Sequence, residues 1–118
     1  MPESGVNLLR LEAEVLELQA PRRTPAGIAV RNCILQHRSR QLEAGHWREV
    51  EVEVQAVVVG EMVARFEQLG PGSRVQVAGF LAARSMRTKT PVLHLTEIEF
   101  IEGNSNGFQA QVEVQEEG

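Results

Sequence analysis

The sequence predicts an all-β fold, a small barrel of five strands with one short helix between the third and fourth strands. Three observations support this prediction. Apolar and polar residues alternate with a period of two through most of the chain, as in half-buried strands. One short segment after Gly60 changes to the helical period near 3.6. Segments rich in glycine, proline and polar residues separate these patterns, which is typical of turns between strands.

The first two strands are predicted over residues 9–18 and 28–37. In the first, apolar residues at odd positions alternate with charged ones, and the phase then changes to Leu16 and Leu18. A phase change of this kind indicates a bulge or bend. Residues 21–27 are turn formers, and the second strand after them is rich in β-branched and small residues. The two strands are therefore expected to form a long hairpin.

The third strand is predicted over residues 50–56, where valine and alanine alternate with glutamate and glutamine. The preceding residues 38–48 are polar and include a glycine, so they are predicted to be a loop. The alternation exposes Glu49, Glu51 and Glu53 on this strand.

A short helix is predicted next, because Met62, Val63, Phe66 and Leu69 share one helical face before a Gly-Pro-Gly stop. A fourth strand begins at residue 75, and a fifth covers 92–101 with a phase change near its middle. Between them, residues 84–91 form a polar, basic loop. The core is expected to contain the three phenylalanines of the helix and the last strands, Phe66, Phe80 and Phe100.

This element order is that of the oligonucleotide-binding (OB) fold, a five-stranded Greek-key barrel. The bend predicted near Leu16 supplies the curvature that closing a small barrel requires. An open β-sandwich or an SH3-like barrel is the alternative, but either would leave the helix without a clear position. We expect the barrel to cover residues 7–102, after an extension at 1–6 and before an acidic, flexible tail at 103–118; pairing of the tail as an edge strand is the alternative.

Length and composition indicate one soluble domain. The chain has 118 residues, of which 42% are hydrophobic and 24% charged, and no apolar run approaches the ~20 residues that span a bilayer. The first residues lack the basic and apolar regions of a secretory signal, and Cys33 is the only cysteine. We therefore expect a cytoplasmic protein with no membrane association.

The net charge of −4 is unevenly distributed. Residues 1–101 contain all 12 basic residues and 12 of the 16 glutamates, so the remaining four glutamates after residue 101 account for the whole excess. The body is thus neutral, and its arginines cluster locally. Overall charge therefore does not exclude a polyanionic partner.

Two motifs stand out in the sequence: Gly-Ser-Arg-Val at 72–75, and His-Arg-Ser at 37–39 followed by Glu-Ala-Gly at 43–45. Further characteristic segments are 20–22, 25–28, 58–60, 76–80 and 92–94. Through these segments the chain, from about Asn7 to Ile101, resembles the family of primosomal replication protein N, the PriB family, which is related to bacterial single-stranded DNA-binding proteins. The motif at 72–75 is common to single-strand-binding OB folds, whereas the motif at 37–45 points to PriB.

The resemblance implies a homodimer that binds single-stranded DNA, without enzymatic activity. It also implies that the protein links the PriA helicase to later, DnaT-like primosome proteins during replication restart. Family members carry a DNA-stacking aromatic residue on the third strand, whereas this strand exposes Glu51, and the aromatic residue lies in the preceding loop as Trp47. This departure raises an alternative function: a protein-interaction module that binds a basic partner through its acidic third strand and tail.

Binding a single strand requires cations for the phosphates and flat rings on which bases stack, the latter worth ~1–3 kcal/mol per base. Trp47 lies in the predicted loop close to Arg38, Arg40 and Arg48, an arrangement suited to both tasks. The alternative is that Trp47 packs this loop onto the barrel.

The second candidate cluster is the loop between the last two strands, which contains Arg84, Arg87 and Lys89 and no acidic residue. In an OB fold this loop flanks the binding face. Arg22, in the first hairpin turn, could extend the same track, meaning the row of cations that bind successive phosphates. The alternative for all four is an ordinary solvated loop.

No metal, cofactor or catalytic site is predicted. The three histidines are far apart in the sequence, aspartate is absent, and no phosphate loop or nucleophile motif is present. Cys33 lies in the middle of a predicted strand and is expected to be a small buried residue.

Overall fold

The computed structural model describes residues 4–101, which form a closed β-barrel with one short helix. The five-stranded OB-fold prediction is confirmed. A two-residue strand is additional to the five predicted. In chain order the elements are β1 (Leu9–Leu18), β2 (Arg22–Arg23), β3 (Ala29–Glu43), β4 (His46–Val59), α1 (Met62–Phe66), β5 (Arg74–Ala83) and β6 (Pro91–Phe100).

Strand β1 closes the barrel because it pairs with a different strand in each half. Its first half pairs antiparallel with β5, and its second half pairs antiparallel with β3. The register shifts between Val15 and Glu17, which is the bend that the phase change at Leu16 predicts. The full strand order is β1-β5-β6-β4-β3-β2.

The core fills the barrel, and α1 covers one end of it. Val63 and Phe66 of the helix are buried, as is Leu69 beyond it. The helix ends at Phe66, three residues earlier than its apolar pattern suggests. The amide of Leu69 donates to the carbonyl of Phe66 at 3.0 Å, so the chain continues as a tighter turn before Gly70.

The prediction of a loop at residues 38–48 is wrong, because β3 and β4 form one continuous hairpin there. Their register runs without interruption to the pair formed by Glu43 and His46. Only Ala44 and Gly45 make the turn, with positive φ angles of 52° and 81°. Both faces of this part of the hairpin are exposed outside the barrel, and most of its residues are polar, with Leu42 and Trp47 as exceptions, so no apolar alternation marks it as a strand.

Two of the three phenylalanines expected in the core are exposed instead. Phe80 follows a register shift between Ala78 and Gly79 that moves its side chain to the outside of β5, where it stacks on His94 with ring centroids 5.1 Å apart. Phe100 is the last residue of β6, at the edge of the barrel, and is 53% exposed.

Asn7, where the barrel is predicted to begin, is hydrogen-bonded to β5. Its side-chain amide donates to the carbonyl of Leu81 at 2.8 Å, and its Oδ1 accepts from the amide of Leu81 at 2.9 Å. Residues 1–3 of the predicted extension and the whole predicted tail at 103–118 lie outside the described residues. Within residues 4–101, no helix has the length and apolar composition needed to cross a bilayer.

Candidate nucleic-acid interface

Three of the eight predicted binding residues, Arg38, Arg40 and Trp47, lie on one face of the β3–β4 hairpin. Side chains alternate between the two faces of a strand, and residues directly opposite each other share a face. Cys33 and Ala56 point into the core. Because side chains alternate, the even-numbered positions of β3 from 32 to 42 point outward. The opposite pairs on this outer hairpin face are Ile34 with Gln55, Gln36 with Glu53, Arg38 with Glu51, Arg40 with Glu49 and Leu42 with Trp47.

Trp47 lies near the tip of the hairpin with 63% of its surface exposed. It does not pack onto the barrel, so the alternative role, in which Trp47 holds the chain segment against the barrel, is excluded. The guanidinium of Arg40 lies over the ring, 5.4 Å from its centroid. This cation–π contact orients the indole. The tip therefore presents a ring for stacking beside a cation for phosphate.

Arg38 lies further down the same face and is bound to Glu51. Its Nη2 is 3.1 Å from the Glu51 carboxylate, which also accepts a hydrogen bond from Gln36 Nε2 at 3.1 Å. Both charged side chains are more than half exposed. An exposed ion pair of this kind contributes about 0–1 kcal/mol, so a phosphate can replace the carboxylate at little cost.

Arg48 is separated from the other predicted residues. It lies opposite Gln41, on the other face of the hairpin from Trp47. Its guanidinium donates to Glu43 at 2.9 Å, and Glu43 belongs to that same face. The structure therefore does not bring Arg48 together with Arg38 and Arg40.

The basic loop between β5 and β6 has a defined shape. The amide of Arg84 donates to the carbonyl of Thr90 at 2.9 Å, and the amide of Ser85 to the carbonyl of Thr88 at 3.1 Å. The side chains of Arg87 and Lys89 are exposed. The backbone bonds restrain this loop beside the barrel, where its cations face solvent.

Two further arginines are fixed by amides that sequence reasoning missed. Arg22 Nη2 donates to Asn32 Oδ1 at 3.1 Å, and Arg84 Nη1 donates to Gln55 Oε1 at 3.4 Å. The alternation of side chains along a strand could have identified Asn32, because Asn32 lies on the same face of β3 as Arg38. These contacts connect the outer hairpin face to β2 and to the β5–β6 loop.

The remaining chemistry-bearing residues have structural roles. His37 Nδ1 lies 2.7 Å from the carbonyl oxygen of Glu12, and its Nε2 lies 2.7 Å from Ser39 Oγ. Burial raises the pKa of the Cys33 thiol to about 11, and the positive charge of Arg31 lowers this pKa by a smaller amount. Among residues 4–101, no three His, Cys, Asp or Glu side chains are grouped as a metal site.

Comparison with known proteins identifies the family. A family described as "another single-strand binding protein family" matches residues 7–97. Replication restart protein PriB of Nitrosomonas europaea is 33% identical over 102 residues, covering 85% of this chain and 94% of the relative. PriB of Bordetella pertussis is 38% identical over 99 residues, covering 84% and 92%.

Solved structures agree with this match. PriB from Ralstonia solanacearum superposes with a TM-score of 0.74 at 31% identity, covering 82% of this chain and all of that one. The Plasmodium falciparum SSB in complex with ssDNA has a TM-score of 0.68 at 21% identity, covering 86% of this chain and all of that one, and supports the fold alone. With its barrel, its hairpin and these sequence matches, the chain belongs to the replication restart protein PriB family.

Proposed function

We propose that the protein binds single-stranded DNA without strong sequence preference and acts in replication restart by binding, not by catalysis. The observation that carries this proposal is the exposed ring of Trp47 beside Arg40 on the outer hairpin face. The naming of the relatives as replication restart proteins supports the cellular role. Following the family, the bound protein would link the PriA helicase to DnaT-like primosome proteins.

In this proposal, bases and phosphates use different residues of one track. A base stacks on the ring surface of Trp47 that Arg40 leaves free, since every base has a π-face and such stacking is tolerant of sequence. Phosphates bind Arg38, after it releases Glu51, and the β5–β6 loop. The cations proposed for this track are Arg22, Arg38, Arg40, Arg84, Arg87 and Lys89.

The proposed homodimer has a candidate interface at β1. Over residues 9–13, β1 pairs with β5 on one side, and no strand of the described residues pairs with its other side. An unpaired strand edge can pair with a second chain. Antiparallel pairing of two such edges would join two barrels symmetrically, and sedimentation analysis would measure the resulting mass.

The test is a titration with oligo(dT) at two salt concentrations, followed by the fluorescence of Trp47, the single tryptophan of the chain. We expect quenching on binding. The logarithm of affinity should fall against the logarithm of salt with a slope of ~0.7 per phosphate contacted. Arg87→Ala or Lys89→Ala should lower this slope, whereas Arg65→Ala on α1 is the control. Binding that is indifferent to salt would contradict the proposal.

A protein-interaction module is the second candidate function, and one observation favours it. Glu49, Glu51 and Glu53 are all exposed on β4, on the same face as Trp47. A row of carboxylates suits a basic protein partner and repels phosphates. Fluorescence of Trp47 that does not respond to oligo(dT) would favour this function over DNA binding.

A further inference from the structure

A groove of about 530 Å³ lies between the turn that precedes β3 and helix α1. Residues 21–29 contribute one wall, the turn wall, and residues 60–67 contribute the other, the helix wall. Ile28 on the turn wall is 46% exposed, and Ala64 on the helix wall is exposed beside the buried Val63. Both walls therefore present apolar surface that residues 4–101 leave uncovered.

The turn wall is held in a defined shape and is positively charged. The amide of Gly27 donates to the carbonyl of Thr24 at 2.8 Å, and the amide of Ile28 donates to Thr24 Oγ1 at 3.2 Å. Arg23 Nη1 donates to the carbonyl of Gly27 at 2.7 Å, which fixes this guanidinium on the groove. Its remaining N–H groups can donate to a bound chain.

The helix wall is negatively charged, with two carboxylates in a row. The amide of Ala64 donates to the carbonyl of Glu61 at 3.3 Å, and the amide of Glu67 donates to the carbonyl of Ala64 at 3.1 Å. Residues three positions apart share one side of such a turn, so the two glutamates flank Ala64. They are about 9–12 Å apart along the axis. Three residues of extended chain cover about 10 Å.

These two carboxylates do not stabilise the helix that carries them. Glu61 is the N-terminal capping residue of α1, but its side chain makes no capping hydrogen bond. Glu67 is at the C-terminal end, where the helix carbonyls disfavour a negative charge. Within the described residues 4–101, neither side chain forms an ion pair. Residues that do not support the local structure are expected at functional sites.

We propose that this groove binds an extended segment of a partner protein, in which an apolar side chain lies between two lysines or arginines three positions apart. The apolar side chain packs against Ile28 and Ala64. The basic side chains bind Glu61 and Glu67, because Arg23 repels them from the turn wall. The spacing of the carboxylates and the charge of each wall thus select the sequence of the segment and the side on which its basic residues lie.

The groove is distant from the proposed stacking site for DNA. Gly60 follows Trp47 by thirteen positions, which corresponds to up to about 40 Å along an extended strand. A base stacked on Trp47 therefore leaves the groove free. The inference goes beyond the proposed DNA binding and does not depend on it.

The test is a titration of isotope-labelled protein with the synthetic peptide Gly-Ser-Lys-Leu-Ser-Lys-Ser-Gly, followed by the NMR chemical shifts of the backbone amides. The largest shifts are expected in residues 27–29 and 60–67, which line the groove. Replacing both lysines of the peptide with glutamate should weaken binding about fivefold or more, since two ion pairs are lost. Replacing its leucine with serine should also weaken binding about fivefold, since less apolar surface is buried.

Three double variants of the protein complete the test. Glu61→Gln with Glu67→Gln should weaken binding of the lysine peptide about fivefold at low salt. Glu17→Gln with Glu99→Gln removes the same charge from β1 and β6, outside the groove, and should leave the affinity unchanged. Glu61→Lys with Glu67→Lys should reverse the preference in favour of the glutamate peptide. An unfolded protein cannot show this reversal.

Four results would overturn the inference. The first is an absence of shifts in the groove amides at millimolar peptide. The second is equal weakening by the groove variant and the control variant, which would indicate attraction to overall charge alone. The third is a set of shifts centred on residues 49–53, which would place the peptide on the acidic row of β4. The fourth is groove shifts that depend on protein concentration without peptide, which would assign the groove to a second copy of this chain.

Discussion

The guanidinium carbon of Arg40 lies 5.4 Å from the centroid of the Trp47 ring, although both side chains are exposed near the end of a long hairpin. A cation over one ring surface restricts the rotamers of the indole and leaves the other surface open. The pair therefore forms an exposed, preoriented aromatic surface outside the barrel. Its two members can be tested separately.

Trp47→Ala should weaken the binding of oligo(dT) by about fivefold to 150-fold, because it removes a base–aromatic contact worth ~1–3 kcal/mol. Trp47→Phe should recover part of the loss, since a smaller ring still stacks. Anisotropy of labelled DNA measures both variants, which lack the only tryptophan. Equal affinity of the alanine variant and the original protein would show that no base stacks at this position.

Arg40→Ala and Arg48→Ala form a matched pair on opposite faces of the same hairpin. The first should lower the salt slope of DNA binding by ~0.7, the value for one phosphate contact on a single strand. The second should leave the slope unchanged, because Arg48 is held by Glu43 on the face away from Trp47. Equal effects of the two substitutions would contradict a one-sided interface.

Glu51→Gln should strengthen DNA binding by about fivefold at low salt. The substitution removes an exposed carboxylate that competes for Arg38 and repels phosphates, an effect of about 1 kcal/mol. The gain should shrink as salt rises, since screening weakens both effects. Glu43→Gln on the opposite face is the control, and a loss of affinity in Glu51→Gln would mean that this carboxylate supports binding.

Gly79→Ala should destabilise the barrel by about 3 kcal/mol or prevent folding. A methyl group at this position would lie 1.9 Å from the carbonyl oxygen of His94, and neither backbone can move without breaking the β5–β6 pairing. Gly70→Ala is the control, because its methyl group would meet open space. Urea unfolding of the two variants measures the difference, and similar midpoints would contradict the close approach.

Stability should fall at high pH because of Cys33. Burial raises the pKa of its thiol to about 11 in the folded protein, from 9.0 when it is exposed. Between these values the unfolded state loses its proton first, so the free energy of unfolding should fall by about 1 kcal/mol per pH unit above pH 9. Cys33→Ala should remove this component, and parallel pH profiles for the two proteins would argue against it.

The sequence predicts the barrel well because its strands alternate between core and solvent. The alternation of Val54, Gln55 and Ala56 and the bend near Leu16 are clear examples, and Phe66 is buried as expected. The end of the hairpin cannot be identified in the same way, since residues there have no apolar face to reveal a period. Phe80 is misplaced for a related reason: a one-residue shift in register reverses the faces of a strand.

The residue types of the candidate site can be predicted from the sequence, but the face of the hairpin on which each residue lies cannot. Basic residues near a tryptophan are visible in the sequence, and they include Arg38, Arg40 and Arg48. Their division between two faces depends on the exact register of β3 against β4. Asn32 and Gln55 are inconspicuous in the sequence because their importance comes from contacts with Arg22 and Arg84, which are distant along the chain.

The reach of the β3–β4 hairpin beyond the barrel also affects how the protein can change during evolution. Strands β3 and β4 have 15 and 14 residues, whereas β1, β5 and β6 have ten each. Side chains on the extra length support no core, so most replacements there leave folding intact. Selection on this hairpin can therefore act on binding alone, and an aromatic residue can be lost at one of its positions and regained at another.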